Sequence, residues 1–491
     1  MDNLVYGYTR AGGDITTLLD LTPRDVQDNE FTPLTAEKTW WLPDNANNKI
    51  KPFSLNVQQF PIRGPTGFGQ RFTFDIGSLS AGDLLFATVL HIELGHWLTD
   101  TTILRLESGK LQYAPSENPW YYANSLGSII LERAELVIGD QTIEIVDGDF
   151  LNMASLLFED PNNQYGPGLD AFGRYPISTL TQTPSARPFP TTQHSILVPL
   201  PFFFQRIKLQ EALPLLACSE GTVRINITLR PFEQCVRLLN GRRTCIDQTP
   251  LNKTLNFVDY STGSPIMLSH TTSANPPTFK KIQLVTYGAV TDGEIRQRIL
   301  RAPFEIMTRN VQTFQFSEPL KYVTNKVSAD TIQVQLPLEA NHPMEEIIWF
   351  VRSKATANNN EWTNYSTTMS AEYDPIYNKP RPLLKKAIIQ LNGTELINQE
   401  EQWFRQHISL LHKGGESAYN SFIYGYSFAK HPGVHQPSGT ANASRLQSIR
   451  LTLDVSPPGG QYEQEWEVVV YVITLQWLRF QNGIANKMFS D

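Results

Sequence analysis

The chain of 491 residues is long enough for two domains of about 200 residues each, and its 41% hydrophobic content can fill two cores. Its 33 prolines, 30 glycines and 11% aromatic residues are typical of short strands joined by turns, and they argue against a helical protein. A net charge of −7 without a basic stripe excludes a protein that wraps nucleic acid. Only three cysteines occur, which indicates a reducing compartment, and neither a signal peptide nor an apolar run of membrane-spanning length is visible.

Apolar residues alternate with polar ones at six places along the chain, and this period of two predicts half-buried antiparallel strands. These predicted strands are 71–76, 132–139, 223–230, 331–338, 386–393 and 448–455. Helical periodicity is confined to three short segments, 148–160, 292–303 and 400–411. Asp147 or Asp149 is placed to cap the first of these helices.

The two halves of the chain repeat each other. Each half contains a strand, a tight turn with glycine, a second strand and a short helix, followed later by two further strands. The aligned segments are 131–150 with 384–403 at an offset of 253 (384 minus 131), then 195–204 with 421–430 and 223–229 with 449–455 at an offset of 226 (421 minus 195). Two correspondences in the same order indicate an internal duplication of a β-rich domain. Copies of about 200 residues with about eight strands suit a jelly roll.

The sequence therefore predicts an all-β protein made of two consecutive eight-stranded antiparallel jelly rolls, a double jelly roll, with a few short helices. The predicted divisions are an N-terminal arm at 1–49, a first jelly roll at 50–232, an inter-domain arm at 233–278, a second jelly roll at 279–485 and a C-terminal tail at 486–491.

No segment carries the pattern of a catalytic or metal site. His91 and His96 in "HIELGH" are five residues apart on a strand-like segment, so they do not form the helical zinc motif. The chain has no His-x-His pair of the kind that binds metal in some jelly rolls, no nucleophile elbow and no phosphate-binding glycine loop. These observations predict no enzyme, no cofactor and no metal.

The segment 426–445, "YSFAKHPGVHQPSGTANASR", combines histidines, serines and a glycine turn. Serine and asparagine near such a turn mostly form local hydrogen-bond caps, and His431 and His435 have no acid or base partner at a fixed spacing. The residues alone therefore predict a rigid loop that joins two strands.

The same segment resembles a motif near the C-terminus of the major capsid proteins of nucleocytoplasmic large DNA viruses. The matching residues are Tyr426, Ser427, Phe428, Ala429, Pro432, Gln436, Pro437, Ser438, Gly439, Asn442, Ser444 and Arg445. Other segments resemble the family in the same order, including "ILVPLPFFFQR" at 196–206 and "DGEIRQRILRAPFEIMTRNVQ" at 292–312.

The resemblance implies a structural capsid subunit that forms homotrimeric, pseudo-hexagonal capsomers in the icosahedral shell of a large double-stranded DNA virus. It implies as partners neighbouring capsomers and minor capsid and penton proteins, with an internal membrane nearby and no direct contact with nucleic acid. The location would be the virion, after assembly in the host cytoplasm. The motif would fix the geometry at the end of the second barrel, and the loop 161–190 would face outward or interlock subunits.

A second hypothesis is a tandem jelly-roll module or viral fibre that binds glycans. Aromatic residues in "NPWYYANS" at 118–125 could stack on sugars, although aromatic residues beside prolines usually pack locally.

Overall fold

A computed structural model describes the parts of the chain that form the sheets and their nearest connections. The described residues are 53–94, 104–107, 110–113, 120–158, 194–206, 212–238, 255–259, 264–268, 279–291, 293–316, 332–358, 360–367, 380–412, 422–434, 436–455 and 466–489. The predicted N-terminal arm at 1–49 and the loop 161–190 lie outside these residues. Within the described ranges, no helix has the length and apolar character needed to cross a membrane.

Eight strands of the first half form two antiparallel sheets. In chain order they are β1 (Phe53–Phe60), β2 (Arg71–Ile76), β3 (Leu84–Leu94), β4 (Leu131–Ile138), β5 (Gln141–Asp147), β6 (His194–Pro199), β7 (Val223–Leu229) and β8 (Phe279–Thr291). One sheet has the order β1–β8–β3–β6, with the short strand Leu213–Pro214 added to β3, and the other has the order β2–β7–β4–β5. This arrangement is an eight-stranded jelly roll, called here the first barrel.

Eight strands of the second half repeat this arrangement. In chain order they are β9 (Phe304–Phe316), β10 (Ile332–Pro337), β11 (Pro343–Ser353), β12 (Leu384–Leu391), β13 (Thr394–Glu400), β14 (Ile423–Ser427), β15 (Ile449–Val455) and β16 (Trp466–Gln481). The sheets have the orders β9–β16–β11–β14 and β10–β15–β12–β13. Every strand of this second barrel therefore has its counterpart eight strands earlier, and the predicted double jelly roll is confirmed.

The three predicted helices are present: α1 (Gly148–Leu157), α2 (Gly293–Arg301) and α3 (Glu401–Leu411). Helices α1 and α3 follow β5 and β13 at corresponding positions, as the sequence repeat predicts. Shorter helical turns are Ser78–Ala81, Leu126–Ile129, Phe203–Arg206, Leu215–Cys218, Phe232–Gln234, Lys354–Asn358 and Ala443–Arg445.

Additional short strands form pairs outside the sixteen barrel strands or extend the barrel sheets. They are Leu104–Glu107 with Lys110–Tyr113, Trp120–Tyr122 with Val236–Leu238, Leu255–Asp259 with Ser264–Leu268, Ala441–Asn442 beside β11, and Ile484–Lys487 beside β16. The predicted inter-domain arm at 233–278 is instead a connection within the first barrel, because the strand that follows it belongs to that barrel; the hairpin at 255–268 gives this connection local structure.

The predicted start of the second jelly roll at residue 279 needs a correction. Strand β8 pairs along its length with β1 and β3, so it is the last strand of the first barrel. The strands of the second barrel begin at Phe304. The position of residue 279 after the polar connection carries no information about its partners, because strand pairing is decided by register and by the face that becomes buried.

Alternating burial explains why these segments form barrels. Along β7, Val223, Ile225, Ile227 and Leu229 are buried, while the residues between them are only partly covered. Removing such side chains from water is the main force that holds the two sheets of a barrel together. In β16, by contrast, every residue from Val468 to Thr474 is buried, because this part of the sheet is covered on both faces.

Candidate functional site

The first candidate is the loop that follows β14 and contains the predicted structural motif. Tyr426 pairs with Ile347 of β11, and its ring lies over the ring of His407 of α3, with 5.7 Å between centroids. Phe428 meets the Tyr426 ring edge-on at 5.1 Å. Tyr426 thus packs the end of β14 against helix α3, and Phe428 packs against Tyr426.

The chain reverses direction directly after this strand. The amide of Phe428 donates to the carbonyl of Glu345 at 2.9 Å. Ser427 Oγ accepts from the amide of Ala429 at 3.1 Å and lies 3.2 Å from the carbonyl oxygens of Glu345 and Ala429. Ser427 and Ala429 are both buried, so these bonds replace the water that the backbone groups lose.

Ser438 and Gly439 close the other side of the loop. Ser438 Oγ accepts from the amide of His431 at 2.8 Å and donates to its carbonyl at 3.1 Å. Gly439 has φ of +147°, and a Cβ atom there would lie 2.6 Å from the carbonyl oxygen of Phe428. Only glycine allows this close approach of two backbone segments.

A buried ion pair supports the tip of the loop. Arg309 of β9 donates to the carboxylate of Glu345 with an Nε–Oε2 distance of 2.6 Å, and its guanidinium also donates to the carbonyl of Val434. The amide of Gly433 donates to the same carboxylate. Burial raises the pKa of Glu345, although the hydrogen bond and charge of Arg309 oppose that shift. Arg309 and Glu345 were not singled out in the sequence, since each looks like an ordinary charged residue in a strand.

Some of the remaining motif residues bind the loop to β11, and the others differ in how far they are exposed. Asn442 pairs with Pro343, and Ser444 Oγ accepts from the amide of His342 at 2.8 Å, so this end of the loop is tied to the start of β11. Pro432 is buried and Pro437 is partly covered. The side chains of Gln436, Asn442 and Arg445 are exposed.

The histidines that could suggest chemistry are dispersed. His431 is exposed at the loop surface, and His91 lies on the outside of β3, with its Nε2 2.8 Å from Ser195 Oγ. His96 and His435 lie outside the described residues. Among the residues that the structure describes, no group of three or more His, Cys, Asp or Glu side chains is arranged to hold a metal ion.

The second candidate is the contact between the two barrels, at the N-terminus of α1. Asp147 is the N-cap: its Oδ1 accepts from the amide of Phe150 at 2.6 Å and from the hydroxyl of Tyr471 at 2.8 Å. The ring of Phe150 packs against that of Tyr471 at 5.2 Å. Of the two capping residues considered, the structure selects Asp147, and the bond from Tyr471 connects the cap to the second barrel.

Asp149 instead forms a buried ion pair with the second barrel. Arg352 of β11 donates to both of its oxygens, at 2.9 and 3.1 Å. The same guanidinium donates to Glu467 and to the carbonyl of Trp362. Arg230 of the first barrel lies over the Trp362 ring, 4.1 Å from its centroid. Two barrels are therefore joined by charges that are paired on several sides, which burial requires.

The two aspartates respond oppositely to this environment. Burial and the neighbouring charge of Asp149 raise the pKa of Asp147 to about 6. Burial acts in the same direction on Asp149, but the positive charges of Arg352 and Arg230 outweigh it and hold its pKa below the usual value. Asp147 is therefore the more easily protonated of the two carboxylates.

The segment considered for glycan stacking contributes to the core of the first barrel. Tyr122 of "NPWYYANS" is fully buried, so its ring is not available to a sugar. Burial raises the pKa of its hydroxyl above the usual value.

Two family profiles match the chain. Residues 45–262 match the family described as major capsid protein N-terminus, and residues 296–486 match the family described as large eukaryotic DNA virus major capsid protein. Among curated proteins, the major capsid protein of Phaeocystis pouchetii virus is 23% identical, over 89% of this chain and 93% of that protein. The major capsid protein of Paramecium bursaria Chlorella virus 1 is 26% identical, over 82% of this chain and 79% of that protein.

Solved structures agree at the level of the fold. The chain is similar to VP54 of PBCV-1, with a TM-score of 0.63, 19% identity and coverage of 92% of this chain and 100% of that one. It is similar to the Faustovirus major capsid protein, with a TM-score of 0.65, 13% identity and coverage of 98% of both chains.

Proposed function

Since the chain belongs to the major capsid proteins of large eukaryotic DNA viruses, we propose that three copies of it form a ring of six jelly rolls, a pseudo-hexagonal capsomer. Membership in this family makes the chain a structural capsid subunit and not an enzyme.

The observation that carries the trimer is the matched strand order of the two barrels. A chain with two similar units supplies six such units in a trimer, and six similar units in a ring can occupy a position of hexagonal symmetry in a shell. Closed rings of this kind arise when the same head-to-tail contact repeats until the rotation is complete.

The further partners and the location follow the family. We propose contacts with neighbouring capsomers and with minor capsid and penton proteins in the virion, above an internal membrane and after assembly in the host cytoplasm. The net charge of −7 fits a shell that does not contact the genome directly, because phosphate binding needs basic surfaces. We propose for the motif after β14 a structural task, which its hydrogen bonds through Ser427 and Ser438 support.

Light scattering behind a size-exclusion column tests the trimer. Three chains of 55.6 kDa have a mass of about 167 kDa, and we expect a single peak of that mass that does not change on dilution. A folded protein that stays at the mass of one chain at all concentrations would contradict the proposal.

A further inference from the structure

Helices α1 and α3 occupy corresponding positions but differ in burial. All ten residues of α1 are buried, whereas in α3 only Phe404 and Ile408 are. The contrast is largest at their ends: Leu157 is 1% exposed, and Leu410, at the same offset of 253 residues (410 minus 157), is 84% exposed. Helix α1 is covered because it lies between the barrels, whereas none of the residues that the structure describes covers the outer side of α3 in this way.

The uncovered residues of α3 lie on one face of the helix. Gln402, Gln406 and Leu410 are spaced four residues apart, and all three are exposed. Gln402 corresponds to Asp149 (402 minus 253), which contacts Arg352 of the second barrel. The face of α3 defined by these three residues is therefore the counterpart of a face that already makes a contact between barrels.

The corresponding sheets of the two barrels differ in exposure in the opposite sense: the outer face is covered in the second barrel and exposed in the first. In the second barrel the outer face of β9–β16–β11–β14 faces α1, and Ile423 on it is 1% exposed. Its counterpart Leu197 on the first barrel (423 minus 226) is 45% exposed. Both are paired at matching places, Ile423 with Phe350 and Leu197 with His91.

Apolar side chains continue across this outer face of the first barrel. The pairing of Val57 with Tyr287, and of Val285 with Val89, places them on the same side of the sheet as Leu197. We define Val57, Val89, Leu197, Val285 and Tyr287 as the open sheet face; each is exposed or partly exposed. His91, Gln283 and Gln59 also lie on this face, beside the apolar residues. An exposed apolar cluster of this size is typical of a surface that becomes covered.

Given the proposed trimer, on which this step rests, we infer that the exposed face of α3 in one copy packs on the open sheet face of the next copy. The contact would repeat between chains the arrangement that α1 makes with the second barrel inside each chain. Three contacts within chains and three between them would then close the ring. Each copy contributes two different surfaces, so the contact is heterologous.

The chemistry of the two contacts differs at one place. Asp149 and Arg352 correspond to Gln402 and Glu93 (352 minus 259, the spacing of Phe350 and His91). The contact between chains thus replaces a buried ion pair with an amide that can donate to a carboxylate. The contact between chains removes one charged group, Glu93, from water, whereas the contact within the chain removes two, Asp149 and Arg352.

Two single-surface variants test the inference by mass. Leu410→Asp alters α3, and the double variant Val57→Asp/Leu197→Asp alters the open sheet face; both change exposed side chains and leave the barrel cores intact. We expect each variant alone to raise the concentration for half-dissociation of the trimer about a hundredfold or more. Leu300→Asp, at an exposed residue of α2 outside both surfaces, is the control and should remain trimeric.

Mixing the two variants gives the sharper result. Each copy retains one intact surface, so an equimolar mixture should form a dimer of about 111 kDa, twice 55.6 kDa, and no trimer. If the wild type is trimeric but both variants remain trimeric, the inferred surfaces are wrong while the proposed function stands. If the sheet variant lowers only the free energy of unfolding and leaves trimer dissociation unchanged, that face is not a contact between copies, and the inference also fails. A wild type that is never trimeric overturns the proposed function itself.

Discussion

Arg352 holds Asp149 through two hydrogen bonds across the boundary between the barrels, although 203 residues separate them in the chain. Arg352 is also bonded to Glu467 and to the backbone at Trp362. The fixed relation of the two jelly rolls is thus determined partly by directional bonds. Apolar contact alone would allow neighbouring orientations of similar energy.

Arg352→Met should lower the free energy of unfolding by about 3 to 5 kcal/mol, because it leaves the buried carboxylate of Asp149 with a weaker set of partners. Chemical denaturation at a single protein concentration measures the change. In the double variant Arg352→Met/Asp149→Leu no buried charge remains at this position of α1, so part of the loss should be recovered.

The control for this loss is Arg479→Met. Arg479 forms a comparable pair with Glu305 on the surface, where both side chains are well exposed. Exposed pairs contribute little, so we expect a change below about 1 kcal/mol. Equal decreases in the free energy of unfolding for the two variants would show that the inter-barrel pair contributes no more to stability than an exposed pair does.

Stability should depend on pH through Asp147. Its pKa is raised to about 6 by burial and by Asp149, so the folded state holds this proton more tightly than the unfolded chain does. The folded state therefore gains stability as the pH falls from about 6 toward 4, and loses it as the pH rises through the same window. The low pKa of Asp149 acts in the opposite direction, but only below that window.

Asp147→Asn removes the contribution of Asp147 to this dependence while keeping an N-cap acceptor, since asparagine caps helices about as well as aspartate. We expect the variant to be on the order of 2 kcal/mol more stable than the wild type at pH 7 and nearly equal to it at pH 4. Denaturation curves between pH 4 and 7 measure the slope. Asp140→Asn, at a fully exposed position, should leave the slope unchanged. A slope in Asp147→Asn as steep as in the wild type would assign it to other buried carboxyls, such as Glu345.

The fold was predictable from sequence because its signals are local and repeated. The alternation of apolar and polar residues in the sequence located β2, β7 and β15. The duplication located the corresponding elements β4–β5–α1 and β12–β13–α3. The assignment of β8 was missed, although the repeat contained the clue: the second copy has β16 after β15, so the first copy needs a strand after β7.

The inter-barrel cluster was not predictable in the same way. Asp149 and Arg352 belong to segments whose local patterns are explained by a helix start and by a strand. The same holds for Arg309, which reaches the carbonyl of Val434 from another strand. Such pairs form only when separate strands and helices pack together in the tertiary structure. The hydrophobic periodicity of a single segment contains no information about that packing.

Gly439→Ala should destabilise the second barrel more than Gly433→Ala does. Both residues have positive φ, but a Cβ at 439 would lie 2.6 Å from the carbonyl oxygen of Phe428, while a Cβ at 433 meets nothing within 4 Å. We expect a loss of about 1 kcal/mol for Gly433→Ala, from backbone strain alone, and at least about 2 kcal/mol for Gly439→Ala. Thermal unfolding of the two variants side by side gives the difference, and equal values would argue against a close contact at 439.

Ser438→Ala should open the loop after β14 without unfolding the barrel. Its hydroxyl bonds both backbone groups of His431, which directly follows the exposed Lys430. Losing both bonds is worth about 1 kcal/mol, which corresponds to a roughly fivefold greater population of open loop. Trypsin should then cleave the native protein after Lys430 about five times faster, as mass spectrometry of early fragments can show. Ser448→Ala, at an exposed serine between the motif and β15, should leave the rate unchanged. Equal rates in Ser438→Ala and the wild type would mean that Gly439 and the Arg309–Val434 bond hold the loop without the serine.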